Sequence, residues 1–237
     1  MKKKQDFQKS DLYESRYHIQ ERRSTARFFF SILIVIWSIM VALTCWRSMF
    51  GGIQVSGSSM ENTLMSKEYL LVRYCDDVDK LPHGTIIVLD IEHYPEVQAD
   101  NRTKPADNQT KYIVKRLIGK EGDRVRCTDG VVEVWYAGTD GYQELCEPYA
   151  KYKSNKREYD FDEYVVGEGE IFFLGDNRCL SLDSRYREEQ SHLKDRLYKE
   201  TDVYGYIPEW AINNKDVIEP IFFWRELLTE LLQEKKK

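Results

Sequence analysis

Histidine is scarce in this chain, with four among 237 residues. Three of them, His83, His93 and His192, lie beyond the N-terminal region, each in a polar, turn-like stretch with no apolar strand to position it. That context gives each a solvated surface role and deprives any hydroxyl chemistry of its usual imidazole base. Cysteine is sparse too. There are five, and the spacing of Cys75, Cys127, Cys146 and Cys179 fits no metal template such as Cys-x-x-Cys. The residues imply no metal, nucleotide or other cofactor, and no internal repeat is visible. Positive charge is also missing where a nucleic-acid binder would need it. The whole chain carries −5, residues 1–27 carry +4, and the remainder is therefore at −9, which argues against nucleic acid as a partner.

Long apolar runs are absent but for one. Phe28 to Trp46 is nineteen residues without a charge, nearly enough to span a hydrocarbon core of about 30 Å as a helix. A cleaved signal peptide has a shorter apolar region, usually about 7–15 residues, and a buried core helix has a polar face that this run lacks. The run reads as an uncleaved transmembrane helix over 28–49. Residues 1–27 form a basic tail, and Arg22, Arg23 and Arg27 at its end predict a cytoplasmic N-terminus by the positive-inside rule. The expectation is a single-pass cell-membrane protein with its main domain extracytoplasmic and membrane lipid as a neighbour. Cys45 then falls in the span, and the other four cysteines lie where disulfides are permitted. Three pairings are open to them, and free thiols fit equally well.

Beyond the anchor the signals are those of strands. Tyr69–Tyr74, Thr85–Leu89, Lys111–Ile118, Asp123–Cys127, Val131–Trp135, Glu170–Leu174 and Tyr204–Pro208 are short apolar, β-branched or aromatic runs. Asp129-Gly130 between two of them is a hairpin signal. The prediction over 50–220 is a mainly β domain, an antiparallel sandwich or barrel. Glu92–Thr110, Gly138–Tyr164 and Tyr186–Asp202 are polar and read as peripheral loops, the last with a composition suited to an exposed helix. Residues 221–237 combine an apolar stripe at helical spacing with a Lys235-Lys236-Lys237 tail. They are too charged to span a bilayer, and read as an amphipathic helix that packs on the domain or lies on lipid.

Three segments carry candidate chemistry. The first is Ser56-Gly57-Ser58-Ser59-Met60-Glu61-Asn62-Thr63-Leu64, where local pattern alone does not choose among Ser56, Ser58, Ser59 and Thr63. The second contains Lys115 within Tyr112–Ile118. A lysine replaces histidine as base only when neutral, and burial favours the neutral form. Strand alternation puts Lys115 on the face of Ile113 and Leu117 and turns Arg116 toward solvent. An edge-strand lysine that blocks aggregation fits the same spacing. The third is Gly175 to Arg185, read either as a turn with an Asp183–Arg185 ion pair or as a loop that orients a neutral lysine.

Taken together and in this order, the three segments resemble the bacterial type I signal peptidases, membrane-bound serine proteases that remove signal peptides from exported preproteins. The first matches the family pattern S-G-x-S-M-x-P-T-L, the second, Lys115 to Asp123, matches K-R-x-x-G-x-P-G-D, and the third matches G-D-N-x-x-x-S-x-D-S-R. The resemblance implies Ser59 as nucleophile, Lys115 as general base, Ser181 as its hydrogen-bond partner, and Asp183 and Arg185 as braces. It also implies that the preprotein lies extended by strand addition beside Val55, Met60 and Val114, whose pockets favour small residues such as Ala before the cut. Several positions depart from the pattern. Asn62 and Glu121 replace prolines, which loosens two turns. Gly57 takes the place of a serine that donates to the oxyanion in some members, and Cys179 and Leu180 replace polar residues. Two other readings share part of this pattern: an inert signal-peptidase-like scaffold for surface-protein assembly, and a self-cleaving repressor-type protease. The latter calls for an N-terminal DNA-binding domain where this chain has a basic tail and an anchor.

Overall fold

The computed structural model describes residues 2–105, 109–153, 155–187 and 198–220. The expected amphipathic helix of 221–237 and most of the charged stretch after Tyr186 lie outside these residues. The chain divides into two units at Met49. The first is helix α1, Lys2–Met49. Its portion Arg23–Met49 is long and apolar enough to cross a membrane, and none of it is packed inside the protein. The helix starts well before the apolar run because helical hydrogen bonding depends on backbone and propensity rather than hydrophobicity. The Lys-, Gln-, Glu- and Arg-rich segment before it consists largely of good helix formers.

The second unit is mainly antiparallel β. Its strands are β1 (Phe50–Gln54), β2 (Tyr69–Tyr74), β3 (Ile86–Asp90), β4 (Tyr112–Gly119), β5 (Arg124–Thr128), β6 (Val131–Trp135), β7 (Gln143–Glu144), β8 (Phe161–Val165), β9 (Phe172–Leu174) and β10 (Val203–Ile207). Two short helices, α2 (Pro95–Asn101) and α3 (Glu209–Asn213), accompany them. Six strands form one sheet in the order β1-β2-β10-β3-β4-β9, and four form a second in the order β7-β6-β5-β8. Every ladder is antiparallel.

Burial explains why β3 reads as an unbroken apolar run. Both faces of the large sheet are covered. Ile86 and Val88 join Met60, Leu64, Leu70 and Val72 in one cluster, whereas Ile87 and Leu89 join Leu117, Ile171 and Phe173 in another. A third cluster unites the small sheet with the end of the large one through Val125, Val132 and Val134 against Ile118, Phe172 and Leu174. The β5–β6 hairpin turns on Asp129 and Gly130, both at positive φ (54° and 78°), as a two-residue primed turn requires.

Strands β1, β7 and β8 and helix α2 are not visible in the sequence pattern. β1 is hidden by Gly51 and Gly52. β8, FDEYV, buries only part of one face, where Phe161 and Tyr164 pack on the third cluster. The five cysteines are all free thiols, and burial with an Asp160 contact pushes the Cys127 thiol up to about 12.

Gly205 of β10 lies where a Cβ would stand 2.4 Å from the Arg73 carbonyl oxygen and 2.7 Å from Val72 Cγ1. No flexible side-chain end is there to yield at the carbonyl. Gly205→Ala is expected to destabilise the domain by about 1–3 kcal/mol, the usual cost of overpacking. Urea denaturation of the detergent-solubilised protein checks this through a lower midpoint.

Candidate active site

The site is assembled where β4, the turn after β1 and the loop after β9 meet. β4 is paired on one side with β3, where Lys115 stands opposite Ile87, and on the other with β9, where Arg116 stands opposite Leu174. This leaves Lys115 4% exposed. Burial lowers its pKa from the ordinary 10.5 to about 8. The carboxylates of Asp183 and Asp176 act against that shift and the Arg185 guanidinium acts with it. A lysine in an exposed edge position would not be moved in this way.

The turn after β1 is anchored by its apolar residues. Met60 and Leu64 are fully buried in the core, and the N–H groups of Thr63 and Leu64 both donate to the Met60 carbonyl (3.1 and 2.9 Å). Ser59, next to Met60, is thereby held half-buried at the rim, whereas Ser56 is exposed and the Thr63 hydroxyl is committed to Asp176. Asn62 has φ of +91°, which asparagine tolerates and a proline ring forbids. Its departure from proline is thus a different turn, tied by Nδ2 to the Tyr149 carbonyl (3.4 Å), rather than a looser one. Glu121, at the other lost proline, accepts a hydrogen bond from Gly169 N–H (3.0 Å).

Asp176 joins the turn to the strand. It has no exposed surface. Its carboxylate accepts from Arg116 Nε (2.8 Å), from Arg116 Nη2 (2.6 Å) and from the Thr63 hydroxyl. Arg116 is the neighbour of Lys115, and Thr63 lies four residues after Ser59. This corrects the expectation that Arg116 faces solvent. Its side chain is buried, donates also to the Gly84 carbonyl (2.7 Å), and lies 3.7 Å from the centre of the Tyr149 ring. Alternation predicts which face a residue takes, but here both faces of the sheet are covered.

In the loop after β9, Asp183 and Arg185 are joined side chain to side chain. Arg185 donates to Asp183 through Nε (2.7 Å) and Nη2 (2.9 Å), and Asp183 accepts from Gly175 N–H (3.0 Å). Ser181 is 2% exposed and its hydroxyl has no hydrogen-bond partner among the described residues, so the bond to Lys115 is not made in this structure. The hydroxyl instead packs over Gly175, where a Cβ would come within 2.1 Å of Ser181 Oγ and 2.6 Å of the Ser59 carbonyl oxygen. Only glycine lets these three approach. Val55 (5% exposed), Met60 and the half-buried Val114 belong to one apolar cluster. Val55 N–H and C=O are already engaged, by the Glu68 carbonyl (2.9 Å) and Lys67 N–H (2.7 Å).

Sequence reasoning missed a clasp. From the peripheral stretch 138–164, a few exposed or half-buried residues reach the loop. Lys151 N–H donates to the Asp176 carbonyl (2.7 Å), its carbonyl accepts from Arg178 N–H (2.9 Å), and its ammonium pairs with Glu61 (3.0 Å). Arg178, 2% exposed, forms a buried ion pair with Glu147 and donates to Tyr152 OH (3.1 Å). Asp176, Asn177 and Arg178 were legible as polar residues following an apolar strand. Glu147 and Tyr149, inside a polar tract, carried no signal. His83 also departs from its solvated reading. It is half-buried, with Nε2 2.7 Å from Asp123 Oδ2 and its ring on Tyr136. His93 is exposed, 3.3 Å from Asp202, and His192 lies outside the described residues. Among the described residues, no group of three or more His, Cys, Asp or Glu is placed to hold a metal.

Residues 26–218 match the family described as signal peptidase, peptidase S26. The chain belongs to that family. It is 30% identical to a signal peptidase I of Bacillus licheniformis over 162 residues, 64% of this chain and 74% of that one. Against signal peptidase I T of Bacillus subtilis the identity is 28% over 161 residues, 64% and 72% of the two chains. Against signal peptidase I of Rickettsia typhi it is 35% over 108 residues, 34% and 40%. Among solved structures, a signal peptidase I of Enterococcus faecalis aligns with a TM-score of 0.34 at 23% identity, covering 54% of this chain and 97% of that one.

Removing one partner of a buried ion pair costs about 3–5 kcal/mol. Asp176→Asn is expected to lower stability by an amount of that order and to reduce activity more than stability alone explains. Cleavage assays run at a temperature where both proteins remain folded separate the two effects.

Proposed function

We propose that Ser59 and Lys115 are the nucleophile and general base of a membrane-anchored serine endopeptidase that removes signal peptides from exported preproteins. The observation that carries this assignment is the Asp176 junction. It ties the turn bearing Ser59 to the strand bearing a buried, pKa-lowered lysine. Family membership supports the activity, and the apolar helix Arg23–Met49 supports the membrane anchor.

In this reading neutral Lys115 takes the Ser59 proton as Oγ attacks the scissile carbonyl carbon. The tetrahedral oxyanion is met by the Ser59 N–H, which has no acceptor among the described residues. The Lys115 ammonium then protonates the leaving amine, an acyl-enzyme remains on Ser59, and Lys115 activates the water that releases it. Ser59 Oγ and Lys115 Nζ make no hydrogen bond in the free enzyme, and such contacts commonly tighten only with substrate. The Ser181 hydroxyl, buried and uncommitted, is available to orient Lys115 at that stage, with Asp183 and Arg185 bracing the loop.

The substrate strand adds beside the segment carrying Val55 and that carrying Val114. Because Val55 N–H and C=O are taken, alternation leaves Gln54 and Ser56 to pair with it. Val55, Met60 and Val114 belong to one apolar cluster, and we propose that the half-buried Val114 at its edge takes the small residues of the substrate. Residues 1–27 form a cytoplasmic tail, 28–49 the single span, and 50–220 the catalytic domain outside, close to lipid. The positive-inside arginines support this orientation.

Ser59→Ala and Lys115→Ala are each expected to abolish cleavage of a preprotein with an Ala-x-Ala site. Wild-type kcat/KM should fall about tenfold per pH unit below about 8, as Lys115 gains its proton, and level off above it. A profile that stays flat to pH 6 would falsify Lys115 as the base.

The same shift has a stability consequence. Between about 8 and 10.5 the unfolded chain holds a proton on Lys115 that the folded chain has lost, so this residue's contribution to stability rises with pH there. Lys115→Met is expected to raise the urea midpoint at pH 7 while abolishing activity, with the gain shrinking as pH approaches 10.5.

A further inference from the structure

A peptide unit carries its C=O and N–H on opposite sides, and no peptide bond in this structure is cis. The direction of the Ser59 N–H is therefore set by whatever holds the Ser58 carbonyl. Asn177 Nδ2 donates to that carbonyl at 3.0 Å, and Glu61 N–H donates to it at 3.1 Å. Both acceptor positions of the Ser58 oxygen are filled. Asn177 Nδ2 also donates to Glu61 Oε2 (3.2 Å), and Asn177 N–H donates to the Ser59 carbonyl (2.9 Å), which fixes the next peptide unit. One buried residue, 1% exposed, thus holds the peptide units on both sides of the Ser59 α-carbon.

Asn177 Oδ1 is buried without a partner among the described residues. Reversing the amide would place this oxygen against two acceptors, the Ser58 carbonyl and the Glu61 carboxylate, so the orientation with Nδ2 toward the turn stands. The fold tolerates an orphaned acceptor in order to keep both donors on the nucleophile turn. Gly57 matters to the same end. It has φ of +94°, and it offers no side-chain hydroxyl to the oxyanion. The burden of stabilising that charge falls on main-chain N–H, whose aim is then critical. Hydrogen bonds to the Ser58 oxygen also polarise the peptide and strengthen the N–H as a donor.

We propose that Asn177 is the positioning residue of the oxyanion site, acting through the Ser58–Ser59 peptide unit. This rests on the assignment of Ser59 as nucleophile. The test compares wild type, Asn177→Asp and Asn177→Ala as full-length proteins in detergent, with Ser59→Ala and Lys115→Ala alongside. Measurements are kcat, KM, the acid limb of the pH profile, the melting midpoint, and affinity for a peptide boronate, a tetrahedral mimic, against the same peptide as its carboxamide.

A mis-aimed donor is expected to lower kcat by about 100-fold, the lower bound for losing one oxyanion-hole donor. KM should stay within about twofold, by the same reasoning that transition-state interactions leave ground-state binding unchanged. Boronate affinity should fall with kcat while carboxamide affinity holds, and the acid limb should not move, because the base is untouched. Unchanged kcat, a loss carried by KM, or boronate affinity that survives a loss of kcat overturns the proposal. If neither Asn177 variant folds, Glu61→Ala carries the test. It frees one anchor of the amide, so kcat should drop at constant KM, and an unchanged kcat overturns the proposal. Residual cleavage by Ser59→Ala defeats the nucleophile assignment itself. An inactive Ser59→Ala beside a fully active Asn177→Asp defeats only the role of Asn177.

Discussion

The arrangement depends on one buried carboxylate. Asp176 lies outside the proposed reaction, yet Arg116 beside Lys115 and Thr63 four residues beyond Ser59 both end on its two oxygens. A buried carboxylate is tolerated only when its acceptor capacity is filled by well-placed donors, and one from a charged guanidinium counts for more than a neutral one. The three elements that meet there are far apart in sequence. Apolar packing brings them near, as clusters of Met60, Leu64 and Val114 on one side and Leu117 and Phe173 on the other show. Such packing is non-directional. The fork geometry of Arg116 on Asp176 is what turns proximity into a fixed relation between turn and strand.

Around that junction the electrostatics favour a neutral base. Lys115 loses hydration on a strand covered on both faces. The carboxylates that would restore its charge are themselves occupied, Asp183 by Arg185 and Asp176 by Arg116. Burial therefore outweighs the attraction and the pKa falls to about 8. An unpaired carboxylate at the same place would hold the proton on the lysine. The ion pairs thus brace the loop and also withhold negative charge from Lys115.

Much of this was legible beforehand, and the limits follow from physics. Strands β2 and β6 coincide with their apolar runs, and most others fall within two residues of theirs, because burial on a sheet leaves a local, periodic trace. Ser59 and Lys115 were not separable from their neighbours by local pattern. Motif resemblance selected them; in the structure Thr63 is committed to Asp176 and Lys115 lies between β3 and β9, while Ser58 is half-buried just as Ser59 is. Arg116 was misjudged because alternation says nothing about what covers the second face. The described residues of 138–164 include none that is buried, in keeping with a peripheral loop, yet polarity alone does not tell which of them reach the loop after β9. Glu147, Tyr149 and Lys151 are polar because they serve Arg178, Arg116 and the 176–178 backbone, and a contact between residues so distant leaves no periodicity in the chain.

Two buried side-chain polar atoms lack partners among the described residues, Asn177 Oδ1 and Ser181 Oγ. Both lie in the loop that ends the Ser59–Lys115 arrangement. An unsatisfied buried polar group costs about 1–3 kcal/mol, so chance placement of both in one eleven-residue loop calls for a reason. Asn177 leaves one acceptor unpaired while its donors hold the Ser58 and Ser59 carbonyls and Glu61. Ser181 keeps a free hydroxyl because Gly175 admits it to a place against the Ser59 backbone, where no partner is offered until the site tightens around a substrate. Together with the desolvated Lys115, these groups concentrate the unfavourable terms of the fold at the point where a peptide would bind, and a bound peptide and its transition state are what would relieve them.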